Sequence, residues 1–124
     1  MIKQKIWFEE KNKAVFGPGR RMLLQAIDEC RSLNAAAKKL NMSYRAAWGR
    51  LRATEERLGM KLVHIDNIGG AMHLTEEARE LINKFNELES KTESFVNNMC
   101  QELDFSMLAT KASEREDEEP NHIT

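Results

Sequence analysis

The sequence predicts a mainly α (α+β) fold. Three observations carry this: apolar residues recur at helical spacing between clear start and stop residues, two pairs of short β-rich runs flank turn residues, and one long apolar repeat lies towards the C-terminal end. Residues 3–8 and 13–16 are rich in Ile, Val and aromatics and are separated by residues 9–12, which predicts a short N-terminal β-hairpin. Gly17-Pro18-Gly19 then breaks the chain before a helix over about 20–31, whose Leu23, Ala26, Ile27 and Cys30 fall on one stripe. Ser32 and Asn34 are both candidate N-caps for a short helix over 35–40, where Ala35, Ala36 and Ala37 favour helix and permit close packing. Asn41-Met42 makes a turn, Ser43 caps the next helix, and Gly59 ends it from the C′ position.

After Gly59, residues 61–65 and 72–74 read as two strands joined by turn residues 67–70. This is a β-wing on a helical trio, so the expected architecture is a winged helix-turn-helix. Thr75 caps a long helix with Glu76 and Glu77 in its first turn, where the helix dipole favours acids. Leu74, Ala78, Leu81, Phe85, Leu88, Thr92, Phe95 and Met99 follow steps of four and three along it, a seam for a partner helix interrupted by Thr92. At ~1.5 Å per residue such a helix is roughly 40 Å long, more than a small core covers, and dimerisation is the physical remedy. Packing of the seam back onto its own domain is the alternative. The predicted organisation is therefore a winged helix-turn-helix domain over 1–75, a long dimerisation helix over 76–108 and an acidic disordered tail over 109–124.

Net charge is −1, yet it is unevenly spread. Residues 17–75 carry ten basic against five acidic side chains, whereas residues 76–124 carry five against thirteen. A basic body with an acidic C-terminal stretch admits a nucleic-acid partner that the average conceals. Cys30 and Cys100 have no metal-ligand spacing and read as reduced thiols. Without an apolar leader segment or a run of ~20 apolar residues, a cytoplasmic, non-membrane protein is expected.

Advancing about 100° per residue from Ala47 places Leu51, Thr54 and Leu58 within about 40° of it, as the buried stripe of the third helix. Arg45, Gly49, Arg52 and Glu56 lie opposite, with Tyr44 and Trp48 on one flank. An outward Arg45–Arg52 face with a small residue between can enter a major groove closely, and arginine pairs bidentately with guanine. Ser43 and the free amides at the helix start suit a phosphate. Trp48 has two readings, as core stacked on the first helix or as a contact to sugar and thymine methyls at the groove edge.

Phe16-Gly-Pro-Gly-Arg20, Leu23-Leu-Gln-Ala-Ile-Asp28, the 32–40 block and Met42-Ser-Tyr-Arg-Ala-Ala-Trp48 resemble the N-terminal domain of the ModE family of molybdate-responsive bacterial transcriptional regulators. The 35–40 run, 43–59 and Leu74-Thr75 also resemble the LysR-type DNA-binding domain, which shares the winged plan. The resemblance covers about residues 15–85. It implies a homodimer on double-stranded operator DNA, with Ser43, Tyr44, Arg45, Trp48 and Arg52 facing the DNA. Lys38 and Lys39 complete the expected DNA-contacting set.

Two departures limit what is carried over. The C-terminal molybdate-binding region of ModE regulators has no counterpart motif here and no room in 124 residues, so molybdate is not an expected ligand and no cofactor is expected. The wing, residues 65–73 with His64 beside them, has only His64 and His73 and includes Asp66, with no Arg or Lys, which predicts a weak grip on phosphate and a shallow salt slope.

An enzyme is not expected, because His64, His73 and His122 stand near no nucleophile or paired carboxylate at a useful spacing. A metal on His64, His73 and Asp66 would lack ligands, and Gly17–Gly19 lacks the Lys-Ser/Thr ending of a P-loop. The rival reading is a winged-helix interaction module that docks on another regulator and has little DNA affinity of its own.

Overall fold

The computed structural model describes residues 2–103 and 105–118. It is mainly α, with two small antiparallel sheets, and has the expected winged helix-turn-helix plan. Lys11 and Asn12 both take positive φ (51° and 65°), which makes the two-residue hairpin turn whose twist matches its strands. That turn joins β1 (Phe8–Glu10) to β2 (Lys13–Phe16). The first strand therefore lies later than the 3–8 span read from composition. The turn sets Glu10 opposite Lys13, and Phe16 at the end of β2 pairs with Phe8, so nothing remains for residues 3–7 to pair with.

Helix α1 (Pro18–Cys30) starts two residues earlier than its apolar stripe suggests, because Gly17 is the extended N-cap and Pro18 is preset for the first turn. Ser32 rather than Asn34 caps α2 (Leu33–Lys39), its Oγ accepting from the Ala35 amide at 3.1 Å. Ala36 and Ala37 are almost fully buried, which lets α2 approach its neighbours closely. Asn41 turns the chain at φ 56°, and the Met42 amide donates to the Ala37 carbonyl at 2.9 Å.

Helix α3 (Tyr44–Leu58) opens on Ser43, whose Oγ accepts from the Ala46 amide at 3.0 Å, and closes on Gly59 at φ 68°. The wing pairs β3 (Val63–Ile65) with β4 (Met72–Leu74), and it is tied to the body by the Met72 amide donating to the Arg31 carbonyl at 2.9 Å. Helix α4 (Glu76–Glu102) is capped by Thr75, which accepts from the Ala78 amide at 3.2 Å and donates to the Lys61 carbonyl at 2.9 Å.

Two compact units are distinguished. The larger, Lys5–Glu89, holds the core: Phe16, Leu24, Ile27, Leu51, Leu62 and Phe85 are its largest fully buried side chains. The front of the apolar seam belongs to that core, since Ala78 and Phe85 are buried and Leu81 packs against it. Ile82, which the four-three stepping passes over, is buried as well. Further along, Leu88, Phe95 and Met99 are exposed. The seam read as one partner surface is thus divided between a core half and an exposed half.

The long helix ends at Glu102, close to the end of its apolar repeat, and a separate helix α5 runs Phe105–Glu118 across the boundary drawn at 108. The sequence places Asp at 104, a residue type that favours helix ends over interiors. Residues 109–118, read as disordered from their charge, are helical because Ala, Lys, Arg and Glu are strong helix formers, although residues 109–116 bury no face. The remainder of that expected tail, 119–124, lies outside the described residues.

Glu55 is a buried acid in a core that is otherwise almost wholly apolar, and its Oε2 accepts from the buried Leu62 amide at 2.8 Å. The bond fixes the chain between α3 and the wing. Glu55→Ala leaves that amide without its acceptor and is expected to cost about 2 kcal/mol of stability, measured by urea unfolding. A loss below a few tenths would show that water replaces the carboxylate.

Candidate nucleic-acid interface

Helix α3 is held by its buried side and two flanks. Ala47, Leu51 and Thr54 face the core as the projection requires, and Leu58 is half-buried. Arg20 of α1 donates from Nε to Thr54 Oγ1 at 2.8 Å, and Thr54 Oγ1 donates in turn to the Arg50 carbonyl at 2.8 Å. Arg57 donates to the Ala14 carbonyl at 2.8 Å, tying the end of α3 to the N-terminal hairpin. The Thr54–Arg50 bond lies within the helix, whereas the Arg20, Arg57 and Glu55 bonds leave it and fix the rotation of α3 about its axis. Helical periodicity carries no signal for any of them.

The opposite face is open. Arg45, Gly49, Arg52 and Glu56 are all exposed, as are Ser43 and Tyr44 around the start of the helix. Gly49 is informative: a Cβ built there meets nothing within 4 Å. Packing therefore does not require glycine, although glycine in a helix costs about 1 kcal/mol relative to alanine. What it provides is a shallow outward face between two arginines.

Trp48 settles between its two readings. At 41% exposure it is not core, and the Arg52 guanidinium lies 5.6 Å from its ring centroid. The indole thus supports Arg52 as a cation–π platform, an arrangement that restricts a long side chain before any ligand arrives.

Lys38 and Lys39 are exposed in the last turn of α2. Lys39 is committed, because its ammonium pairs with the Glu29 carboxylate of α1. That hydrogen bond and its charge raise the Lys39 pKa. Lys38 has no such partner among the described residues, and it is the freer cation of the two.

In the wing, His64 and His73 face each other across the strands with ring centroids 5.3 Å apart. His73 Nε2 lies 2.7 Å from Asp66 Oδ2, and the Arg31 guanidinium reaches within 3.5 Å of His73 Nδ1. Arg31 is thus a cation at the wing base, a charge that residues 65–73 themselves do not supply. The wing tip itself is apolar, with Ile68 91% exposed. Among the described residues no three His, Cys, Asp or Glu side chains converge as a metal ion requires, and no helix is long and apolar enough to cross a membrane.

A trio of helices, the third presenting exposed arginines, followed by a two-stranded wing, defines a winged helix-turn-helix domain. Residues 22–79 match the family model described as bacterial regulatory helix-turn-helix protein, lysR family. The CbnR DNA-binding domain, solved as a DNA complex, is similar in fold with a TM-score of 0.52 at 21% identity, over 68% of this chain and 97% of that one. Full-length CbnR complexed with its target DNA aligns with a TM-score of 0.50 at 18% identity, over 65% of this chain and 27% of that one. The chain thus spans nearly all of an isolated domain of this kind but about a quarter of the full-length protein. The comparison with curated proteins gave no match.

Proposed function

We propose that the chain is a sequence-specific, DNA-binding transcriptional regulator of the ModE-like type, acting in the cytoplasm as a homodimer with α3 in the major groove. The observation that carries this reading is the outward Arg45–Gly49–Arg52 face on a helix whose rotation is fixed from behind. Arg45 and Arg52 read base edges, and Ser43, Tyr44 and Trp48 contact backbone and sugar at the groove edge. Lys38 and Lys39 lie towards phosphate, with Lys39 the weaker because Glu29 already neutralises it. The Phe16–Arg20 and Met42–Trp48 blocks support the ModE-like type, and the exposed Leu88, Phe95 and Met99 of α4 support a helix-to-helix dimer. No molybdate, cofactor or catalytic step enters the proposal.

Fluorescence anisotropy of duplex DNA from the gene's own upstream region, titrated with the intact chain at rising salt, tests it. Saturable binding is expected, with log K falling against log salt by about 0.9 per phosphate contacted. The slope should be shallower than for a wing carrying Lys or Arg, since residues 62–74 carry neither. Absent or salt-independent binding would overturn the proposal and favour the protein-interaction module.

A further inference from the structure

Arg50 and Trp48, two residues apart, lie on opposite flanks of α3. On the Arg50 flank is an open cavity of about 390 Å³, walled by Lys5, Trp7, the 17–19 turn, Arg20 and Arg50. No carboxylate lines it. Glu9, close by in sequence, accepts from the Trp7 indole at 2.9 Å and lines the neighbouring groove instead. Arg57 adds a third guanidinium from behind, because the carbonyl it donates to belongs to Ala14 of the cavity wall.

The positive groups are left without partners of opposite charge. Arg20 is positioned by its Nε bond to Thr54, a neutral acceptor that leaves its charge uncompensated. Neither the Lys5 ammonium nor the Arg50 guanidinium has a hydrogen-bond or ion-pair partner among the described residues. Burial first, then the like charges of Arg57 and Arg50, lowers the Arg20 pKa. The start of α1 points to the same place. Its N-cap is Gly17 with no side-chain bond, its first turn holds no acid, and a Cβ on Gly19 would stand 4.0 Å from Arg50 Nη1. Cations and unfilled amides therefore converge on one spot.

We propose that this cavity binds one phosphoryl-type tetrahedral oxyanion. Arg20, Arg50 and Lys5 supply the charge, and the Gly19 and Arg20 amides offer further donors. Several donors arriving from different directions suit an acceptor with three or more equivalent oxygens. The phosphoryl group comes either from a free small anion or from the DNA backbone beside α3, and two arms distinguish these sources.

The first arm uses the intact chain as Trp48→Phe, which leaves Trp7 as the single tryptophan, titrated with inorganic phosphate or pyrophosphate against chloride at matched ionic strength. A saturable Trp7 signal is expected for a free anion, weakened tenfold or more by Arg50→Gln or by Lys5→Gln and unchanged by Arg45→Gln. The second arm measures the salt slope of DNA binding with Trp48 retained; Arg50→Gln is expected to reduce it by about 0.9 if the site holds one backbone phosphate. Lys5 lies outside the folded helices, so its variant keeps the test valid if Arg50→Gln destabilises the domain. A Trp7 titration that survives both substitutions overturns the site. So does the absence of both a saturable signal and a slope change. The first arm needs no DNA, so its result stands even if the transcriptional reading fails.

Discussion

Replacing Arg45 and Arg52 together with alanine is expected to weaken binding to the best operator by on the order of a thousandfold, at about 1–3 kcal/mol per bidentate guanine contact. Binding to scrambled duplex should fall far less. The two residues are seven apart, so they share a face and stand roughly 10 Å apart along the helix. That distance is about three base-pair steps at ~3.4 Å each, which lets one face read both ends of a short triplet. Both side chains are exposed and neither contributes to the core, so the thermal midpoint should stay within a few degrees. Arg52 does lose its contact with Trp48, worth about 0.5–1 kcal/mol at exposed sites. The measurement is anisotropy with a duplex taken from a selection of bound genomic fragments, beside a scrambled control. If the double variant binds that operator as tightly as the parent, the reading face lies elsewhere on the molecule.

The helices, their caps and the wing were legible because each is written in local chemistry. Ser32, Ser43, Thr75 and Gly59 all take the roles their side chains or backbone freedom favour. The outward face of α3 was legible for the same reason, since helical projection needs only spacing. What escaped was everything decided by partners distant in sequence. Trp48 could be placed only once α1 was seen to leave it exposed, and Lys39 only once Glu29 lay beside it. The Arg20–Thr54 and Arg57–Ala14 bonds join residues more than thirty positions apart, and no periodicity encodes them. The C-terminal segment misled in the opposite sense: high charge suggested no order, yet local helix propensity was enough for α5. The long apolar repeat was legible as a repeat, but four-three spacing does not say whether the surface that covers it is the same chain or another.

Phe85 answers that question for the front half of α4, and Phe85→Ala is expected to lower stability by about 3–5 kcal/mol. Its ring is fully buried and meets Phe8 and Phe16 edge-on, with centroids at 5.4 and 5.3 Å. The Arg21 guanidinium covers it at 4.9 Å and is itself held by Glu89 at 2.6 Å and Asn86 at 2.9 Å. Truncation removes the ring on which the N-terminal hairpin, α1 and α4 converge. For a small domain the loss corresponds to a fall of roughly 15–25 °C in thermal midpoint. Phe95, ten residues later, is 66% exposed, so Phe95→Ala should change monomer stability by less than about 0.5 kcal/mol. Urea unfolding of both variants at several protein concentrations separates the two halves of the helix. A concentration-independent loss at Phe85 and a concentration-dependent one at Phe95 would assign the first to the core and the second to a dimer. A Phe85→Ala protein within 1 kcal/mol of the parent would mean that α4 is not part of the domain's core, and the division of the seam described above would be wrong.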